Sequence, residues 1–144
     1  QSLQIKKAVV EEDPFEKGLR KILNFGHTIG HAIEAYSLEN ETESLLHGEA
    51  IAIGMICEAY LSVKKCGLQK NEFQKIKTVL LKHFPTHNVS TFDTEKLISI
   101  MSIDKKNEGA TIMAALLSEI GKCKYDIAIS KEEIKESIAY YISL

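Results

Sequence analysis

The chain has 144 residues and a formal net charge of −2, with 44% hydrophobic and 26% charged residues. These values are typical of one globular domain, and they exclude a strongly basic nucleic-acid-binding protein and an acidic tail. The longest apolar runs fall far short of the roughly 18 residues of a membrane span, and no signal peptide is recognised at the start. Three cysteines without a paired spacing favour a reducing cytoplasm over disulfides.

The first segment carries a short helical pattern over residues 2–12, which ends in acidic residues before Pro14. Lys6 lies on this segment, where a lysine is most often a solvated surface residue. The residues from Pro14 to Gly18 predict a turn that includes Glu16. Taken alone, neither Lys6 nor Glu16 indicates a function.

A helix is predicted from Asn24 to Tyr36, because apolar residues recur there at helical spacing. This helix would turn His27 and His31, which are four residues apart, to nearly one side. Arg20 and Asn24 lie upstream of His27 on a similar face. Their side chains can form hydrogen bonds to an anionic or hydroxylated partner.

A polar stretch over residues 37–44 predicts a surface loop, after which His47 opens a second long helix. Neutral imidazole is the commonest metal ligand, and a histidine pair at i, i+4 with a third ligand from elsewhere can leave one metal position open. The alternative is that these histidines cap helices or lie hydrogen-bonded in the core. Gly26, Gly30 and Gly48 flank them where a helix former would be more stable by ~1 kcal/mol, so another helix or a ligand must approach the backbone.

The rest of the chain alternates helical and β patterns. Gly67 is predicted to end the second site helix. Two more helices are predicted, from Asn71 to about His83 and over residues 91–103. A two-stranded hairpin over 110–117 and 124–129 and a last helix capped by Ser130 with Glu133 complete the chain. The segment DKKNEG, which holds Lys105 and Lys106, is by itself a polar turn. The expected fold class is mainly α, a multi-helix domain with a small β-hairpin.

Two motifs in the central region carry a resemblance to a known family. LRKILNFGHTIGHAIE at 19–34, followed by LLHGEAIAIGM at 45–55, closely resembles the metal-binding segment of the 3-dehydroquinate synthase family. IKKAVVEEDPFEKGLR upstream, and IMSIDKKNEG and LLSEIGK downstream, resemble the same family in the same order, so the resemblance covers about the whole chain. It implies the C-terminal half of a two-domain enzyme.

The resemblance also implies an activity. Members of this family are lyases that convert 3-deoxy-D-arabino-heptulosonate 7-phosphate to 3-dehydroquinate and phosphate, in the shikimate pathway to chorismate and the aromatic amino acids. They use NAD, which transiently oxidises a ring hydroxyl, and a zinc or cobalt ion, which acts as a Lewis acid.

Residue roles follow from the same resemblance. His27 and His47 would ligate the metal, while His31 would exchange protons without being a ligand. Glu16, four residues before Arg20, would be a proton acceptor. The residues implied in substrate binding are Lys6, Arg20, Asn24 and the lysine pair Lys105 and Lys106, of which one makes the contact.

Parts of the family pattern are absent from these residues. The N-terminal NAD-binding domain and a glutamate that is the third metal ligand would precede Gln1, and the chain holds no GxGxxG-like loop. We therefore expect residues 1–144 to be a C-terminal helical metal- and substrate-binding domain that alone binds zinc weakly, has no NAD site and is inactive. Family enzymes are usually homodimers, and neither nucleic acid nor membrane is expected as a partner.

Three other interpretations stay open from the sequence. A related sugar-phosphate cyclase that makes a carbocycle would share nearly all these motifs. A metal-dependent polyol dehydrogenase would also have two helix-borne histidines, although the NFGHT and DKK segments argue against it. The third alternative is a helical interaction module whose histidines are structural.

Overall fold

The computed structural model describes residues 2–103 and 111–144. The elements in these residues are α1 (Ser2–Glu12), a 3-10 helix (Leu19–Asn24), α2 (His27–Asn40), α3 (His47–Cys66), α4 (Lys70–His83), α5 (Thr94–Ile103), β1 (Ile112–Glu119), β2 (Lys122–Ile129) and α6 (Lys131–Ile142). The expected fold class, mainly α with a small β-hairpin, is confirmed. Lys105 and Lys106 lie outside the described residues.

Helix α3 lies at the centre of the fold, where it contacts α2, α4, α6 and β1. Apolar residues occupy most of the circumference of this helix, so it is buried on nearly all sides. At most 2% of each of four of them is exposed: Ala50, Ile53, Cys57 and Leu61. The helix ends at Gly67, whose φ of 78° lies in the left-handed region that glycine adopts at helix ends. This end is the one predicted from the sequence.

Helices α2 and α3 cross in direct backbone contact. A Cβ added to Gly54 would overlap the carbonyl oxygen of Gly26 and would lie 2.6 Å from the amide nitrogen of Gly30. Close packing of a second helix therefore explains why positions 26 and 30 are occupied by glycine. Gly48 is different, because a Cβ there would meet the Phe84 ring at 3.5 Å, which is ordinary contact.

The helix predicted to begin at Asn24 begins instead at His27, so that boundary is wrong. Gly26 has a φ of 84°, and this left-handed residue separates α2 from the preceding 3-10 helix. Arg20 and Asn24 consequently lie on the 3-10 helix and not on an extension of α2. Periodicity does not detect the break, because apolar residues continue on both sides of it.

The loop predicted over residues 37–44 is also partly wrong, since α2 continues to Asn40. Ser37 is fully buried, and its hydroxyl oxygen accepts a hydrogen bond from the Leu45 amide at 2.8 Å. A polar residue inside the core satisfies its hydrogen bonds in this way. The composition of the stretch therefore concealed one more helical turn.

The two strands form an antiparallel hairpin, paired from Ile112 with Ile129 to Glu119 with Lys122. Strand β1 continues to Glu119 and β2 begins at Lys122, so the strands extend closer to the turn than predicted. The Leu117 amide donates to the Ser62 hydroxyl of α3 at 2.9 Å, so the hairpin packs on the helices as expected. None of the helices within 2–103 and 111–144 combines the length and apolar character that a membrane crossing requires.

Replacing Gly54 by alanine should strongly destabilise the protein, because the added methyl group meets rigid backbone atoms of Gly26 and cannot rotate away. Overpacking of this kind typically costs about 1–3 kcal/mol. Urea unfolding followed by circular dichroism measures the loss. Gly48→Ala is the matched control and should be neutral or slightly stabilising, since its methyl group has room. Equal stability of both variants would contradict the crossing described here.

Candidate functional site

Three imidazole rings meet beside the α2–α3 crossing. One ring nitrogen from each of His27, His31 and His47 lies within 4.8 Å of those from the other two. The ring centroids are 5.0 Å apart for His27 and His31, and 5.8 Å apart for His31 and His47. The i, i+4 spacing brings together the two rings of α2, and the helix crossing adds the ring of α3. Clustered imidazoles suit zinc or cobalt.

Two of the three rings have their Nδ1 atom beside an oxygen that can only accept a hydrogen bond. His27 Nδ1 lies 3.2 Å from the Phe25 carbonyl oxygen, and His47 Nδ1 lies 3.0 Å from Glu34 Oε2. In a neutral imidazole, such an acceptor favours the proton on Nδ1 and leaves a lone pair on Nε2 for a metal. Nitrogens on one tetrahedral zinc lie about 3.3 Å apart, so rings whose nitrogens lie within 4.8 Å would have to move closer together to share an ion.

The cluster is open to solvent on one side. His27 is half-buried, whereas His31 and His47 are exposed. A metal held here would keep positions for water or a substrate, as catalytic zinc sites do.

Glu58 of α3, which the sequence analysis did not identify, holds the start of α2. Its carboxylate is fully buried and accepts hydrogen bonds from the amides of Gly26, at 2.6 Å, and Ile29, at 3.1 Å. These amides flank His27 and belong to the first helical turn, whose N–H groups have no partner within the helix. The one sequence signal is a single acidic residue inside the apolar run IAIGMICEAYLSV.

The turn between α1 and the 3-10 helix is organised by Asp13, another residue that the sequence analysis missed. Its carboxylate accepts hydrogen bonds from the backbone amides of Lys17, Gly18 and Arg20 at 3.0, 2.7 and 3.1 Å. The hydrogen bond from Gly18, with those from Arg20 and Lys17, lowers the pKa of Asp13 below its ordinary value. The charged carboxylate therefore fixes the turn that carries Glu16 and Arg20.

This turn brings together three of the residues predicted to act on a substrate. Asn24 Nδ2 donates to Glu16 Oε1 at 2.6 Å, and Arg20 Nη1 donates to the Pro14 carbonyl oxygen at 3.0 Å. Glu16 has a φ of 54°, a conformation that residues other than glycine rarely adopt. Lys6 is exposed on α1, which contacts the 3-10 helix of Arg20 and Asn24.

Comparison with known families finds a family model described as 3-dehydroquinate synthase C-terminal, which matches residues 1–107. The 3-dehydroquinate synthase of Parabacteroides distasonis is 40% identical over 141 residues, which are 98% of this chain and 40% of that protein. That of Thermodesulfovibrio yellowstonii is 42% identical over 135 residues, which are 92% of this chain and 36% of that protein. The chain thus spans well under half the length of these curated relatives.

Solved structures give a similar result. A 2-deoxy-scyllo-inosose synthase complexed with carbaglucose-6-phosphate, NAD+ and Co2+ has a TM-score of 0.74 and 28% identity, over 96% of this chain and 38% of that one. A 2-epi-5-epi-valiolone synthase from Streptomyces hygroscopicus, with NAD+ and Zn2+ bound, has a TM-score of 0.79 over 99% of this chain and 38% of that one. At 19% identity, the second structure shows a shared fold alone.

Replacing Glu58 by glutamine should destabilise the protein by about 1–3 kcal/mol, because the amide has one accepting oxygen and leaves a buried N–H unpaired. Urea unfolding gives the free energy, and hydrogen exchange at Gly26 and Ile29 locates the loss. Glu39→Gln on α2 is the control, since Glu39 pairs with Lys96 in solvent, where ion pairs contribute about 0–1 kcal/mol. Unchanged protection of both amides in the Glu58 variant would contradict its capping role.

The turn that Asp13 holds should loosen when its carboxylate is protonated at low pH. Because the folded pKa is depressed, the contribution of the carboxylate is fully present above its ordinary value of 3.8 and is lost as the pH falls through the lower folded value. The amide shift of Gly18, followed by NMR against pH, should report this loss. Asp13→Asn should abolish the transition, whereas Glu12→Gln, at an exposed neighbouring position, should retain it. An acid transition that survives in Asp13→Asn would contradict the assignment.

Proposed function

Because the chain belongs to the 3-dehydroquinate synthase C-terminal family, we propose that it takes part in the conversion of 3-deoxy-D-arabino-heptulosonate 7-phosphate to 3-dehydroquinate and phosphate. The observation that carries this proposal is the cluster of three imidazoles within 4.8 Å, two of them with Nδ1 beside an acceptor. A family match alone would not require these rings to face one another.

His27 and His47 would hold a zinc or cobalt ion through Nε2, and the free lone pair of each ring supports this assignment. When bound, such an ion supplies Lewis-acid stabilisation to a substrate hydroxyl that loses its proton. NAD and a third, carboxylate ligand would come from outside residues 1–144, which we propose act as the helical metal- and substrate-binding domain of a longer enzyme. The 2-deoxy-scyllo-inosose synthase structure, complexed with NAD+ and Co2+, supports this choice of cofactors.

His31 would move protons without ligating the metal. Its ring lies 5.0 Å from that of His27 between centroids and is exposed, so a substrate oxygen bound near His27 would be within reach. Glu16 would be a further proton acceptor. Its hydrogen bond from Asn24 supports a shared role for the two side chains, because it holds the carboxylate beside a group that can bind hydroxyls.

The substrate's carboxylate, hydroxyls and phosphate would be bound by Lys6, Arg20, Asn24 and one of Lys105 and Lys106. A guanidinium has five N–H donors, so Arg20 keeps donors for an anion beside its bond to Pro14. Lys6, exposed on α1 beside the 3-10 helix, would supply a further positive charge. Most of their contribution would be orientation of the substrate.

We also propose that the complete protein is a cytoplasmic homodimer. Cys57, Cys66 and Cys123 are free thiols in the described structure, which suits a reducing compartment. Exposed apolar side chains such as Leu3, 82% exposed, and Phe15, 80% exposed, offer surface for an interface.

A related sugar-phosphate cyclase is the second candidate, because the 2-deoxy-scyllo-inosose synthase shares 28% identity and a TM-score of 0.74. Product analysis separates the two. Conversion of the heptulosonate phosphate to 3-dehydroquinate supports the first, and cyclisation of a hexose phosphate in its place supports the second.

In the complete protein, His31→Ala should lower turnover by about 10²–10⁴-fold while leaving the zinc content unchanged, because a lost proton carrier does not remove a ligand. His27→Ala and His47→Ala should lose zinc as well as turnover. Phosphate release measures turnover, and elemental analysis measures zinc. His83→Ala, at an exposed position of α4, is the control and should change neither.

Two outcomes would contradict the assignments. If His31→Ala lost as much zinc as His27→Ala, the assignment of the metal ligands would be wrong. Variants of His27 and His47 that change stability but leave the activity intact would support a structural role for the histidines, as in an interaction module.

A further inference from the structure

We infer that Glu34 is a positioning residue that selects the metal-binding tautomer and orientation of His47, an inference that rests on the proposed metal site. Glu34 lies on α2, three residues after His31, and its Oε2 is 3.0 Å from Nδ1 of His47 on α3. The contact therefore joins the two helices whose histidines form the cluster.

The chemistry of imidazole gives this contact its consequence. A neutral ring has one N–H and one lone pair, and the hydrogen bond at one nitrogen decides where the proton lies. The Glu34 carboxylate can only accept, so it keeps the proton of His47 on Nδ1 and leaves Nε2 able to ligate. Without this acceptor the proton can move to Nε2, which then has no lone pair for a metal.

His47 needs such a partner more than His27 does. The His47 side chain is 58% exposed, so packing holds its ring only weakly, whereas His27 is half-buried and has a backbone acceptor in Phe25. A substitution at Glu34 therefore alters one ring of the pair. Carboxylates that accept from ligating histidines typically change metal affinity by about 10–100-fold.

The other carboxylate of α2, that of Glu39, does not have this arrangement. Glu39 pairs with Lys96 at 3.5 Å, with side chains 64% and 43% exposed, while the Glu34 side chain is only 25% exposed. Exposed ion pairs such as that of Glu39 contribute little to stability. The half-buried Glu34 carboxylate differs because its partner is a ring of the histidine cluster. Glu39 is accordingly a matched control on the same helix.

The test compares Glu34→Ala, Glu34→Gln and Glu39→Ala in the complete protein. Zinc affinity is measured by competition with a chelator, and the tautomer of His47 by long-range nitrogen–proton NMR correlations in metal-free protein. We expect Glu34→Ala to weaken zinc binding by about 10–100-fold and to move the His47 proton toward Nε2, with Glu39→Ala unchanged. Glu34→Gln conserves the shape of the side chain and one accepting oxygen, so its zinc affinity should lie between those of Glu34→Ala and Glu39→Ala.

His47→Ala in the same assays separates this inference from the proposed function. If His47→Ala loses zinc while both Glu34 variants keep the original affinity and tautomer, the inference is wrong and the metal site stands. If His47→Ala itself keeps full zinc affinity, the proposed site is wrong. Should Glu34→Ala unfold, the isosteric Glu34→Gln carries the test, and an unchanged tautomer together with unchanged affinity overturns the inference.

Discussion

The backbone contact between α2 and α3 is the constraint on which the candidate site depends. Gly54 faces Gly26 and Gly30 so closely that a methyl group on it would overlap the opposing backbone. His27 and His31 lie on one of these helices and His47 on the other, so the separation of the helix axes fixes the separation of the imidazoles. The glycines thus set how closely the rings on the two helices can approach, because the contact is between backbones.

Glu58 secures the same contact by electrostatics. Burying a carboxylate is unfavourable unless hydrogen bonds replace its hydration, and here the first-turn amides of α2 provide them. The N-cap of α2 is Gly26, which has no side chain to satisfy those amides. A residue of α3 therefore supplies the cap that a local serine or aspartate supplies elsewhere. The first turn of α2, and with it the placement of His27, depends on the packed core.

Much of this architecture is encoded locally and could be predicted from the sequence. The capping box of Ser130 and Glu133 forms as expected, with the Glu133 amide donating to the Ser130 hydroxyl at 3.2 Å and the Ser130 amide to the Glu133 carboxylate at 2.8 Å. The break at Gly26 could not be predicted, because it depends on a left-handed residue pressed against Met55 of another helix. Glu34 and Glu58 were missed for the same reason, since their partners are 13 and 29 to 32 residues away.

The two halves of the candidate site are held by different forces. The imidazole half rests on helices whose contact is buried, so its geometry has the rigidity of the core. The half with Glu16, Arg20 and Asn24 lies on a turn and the 3-10 helix after it, held by hydrogen bonds to Asp13 and Pro14 that water can compete for. Arg20 keeps guanidinium donors beyond the one that the Pro14 carbonyl oxygen accepts, and His47 keeps the ring nitrogen that Glu34 does not contact. The core therefore places the imidazole half, whereas the half on the turn depends on hydrogen bonds that solvent can replace.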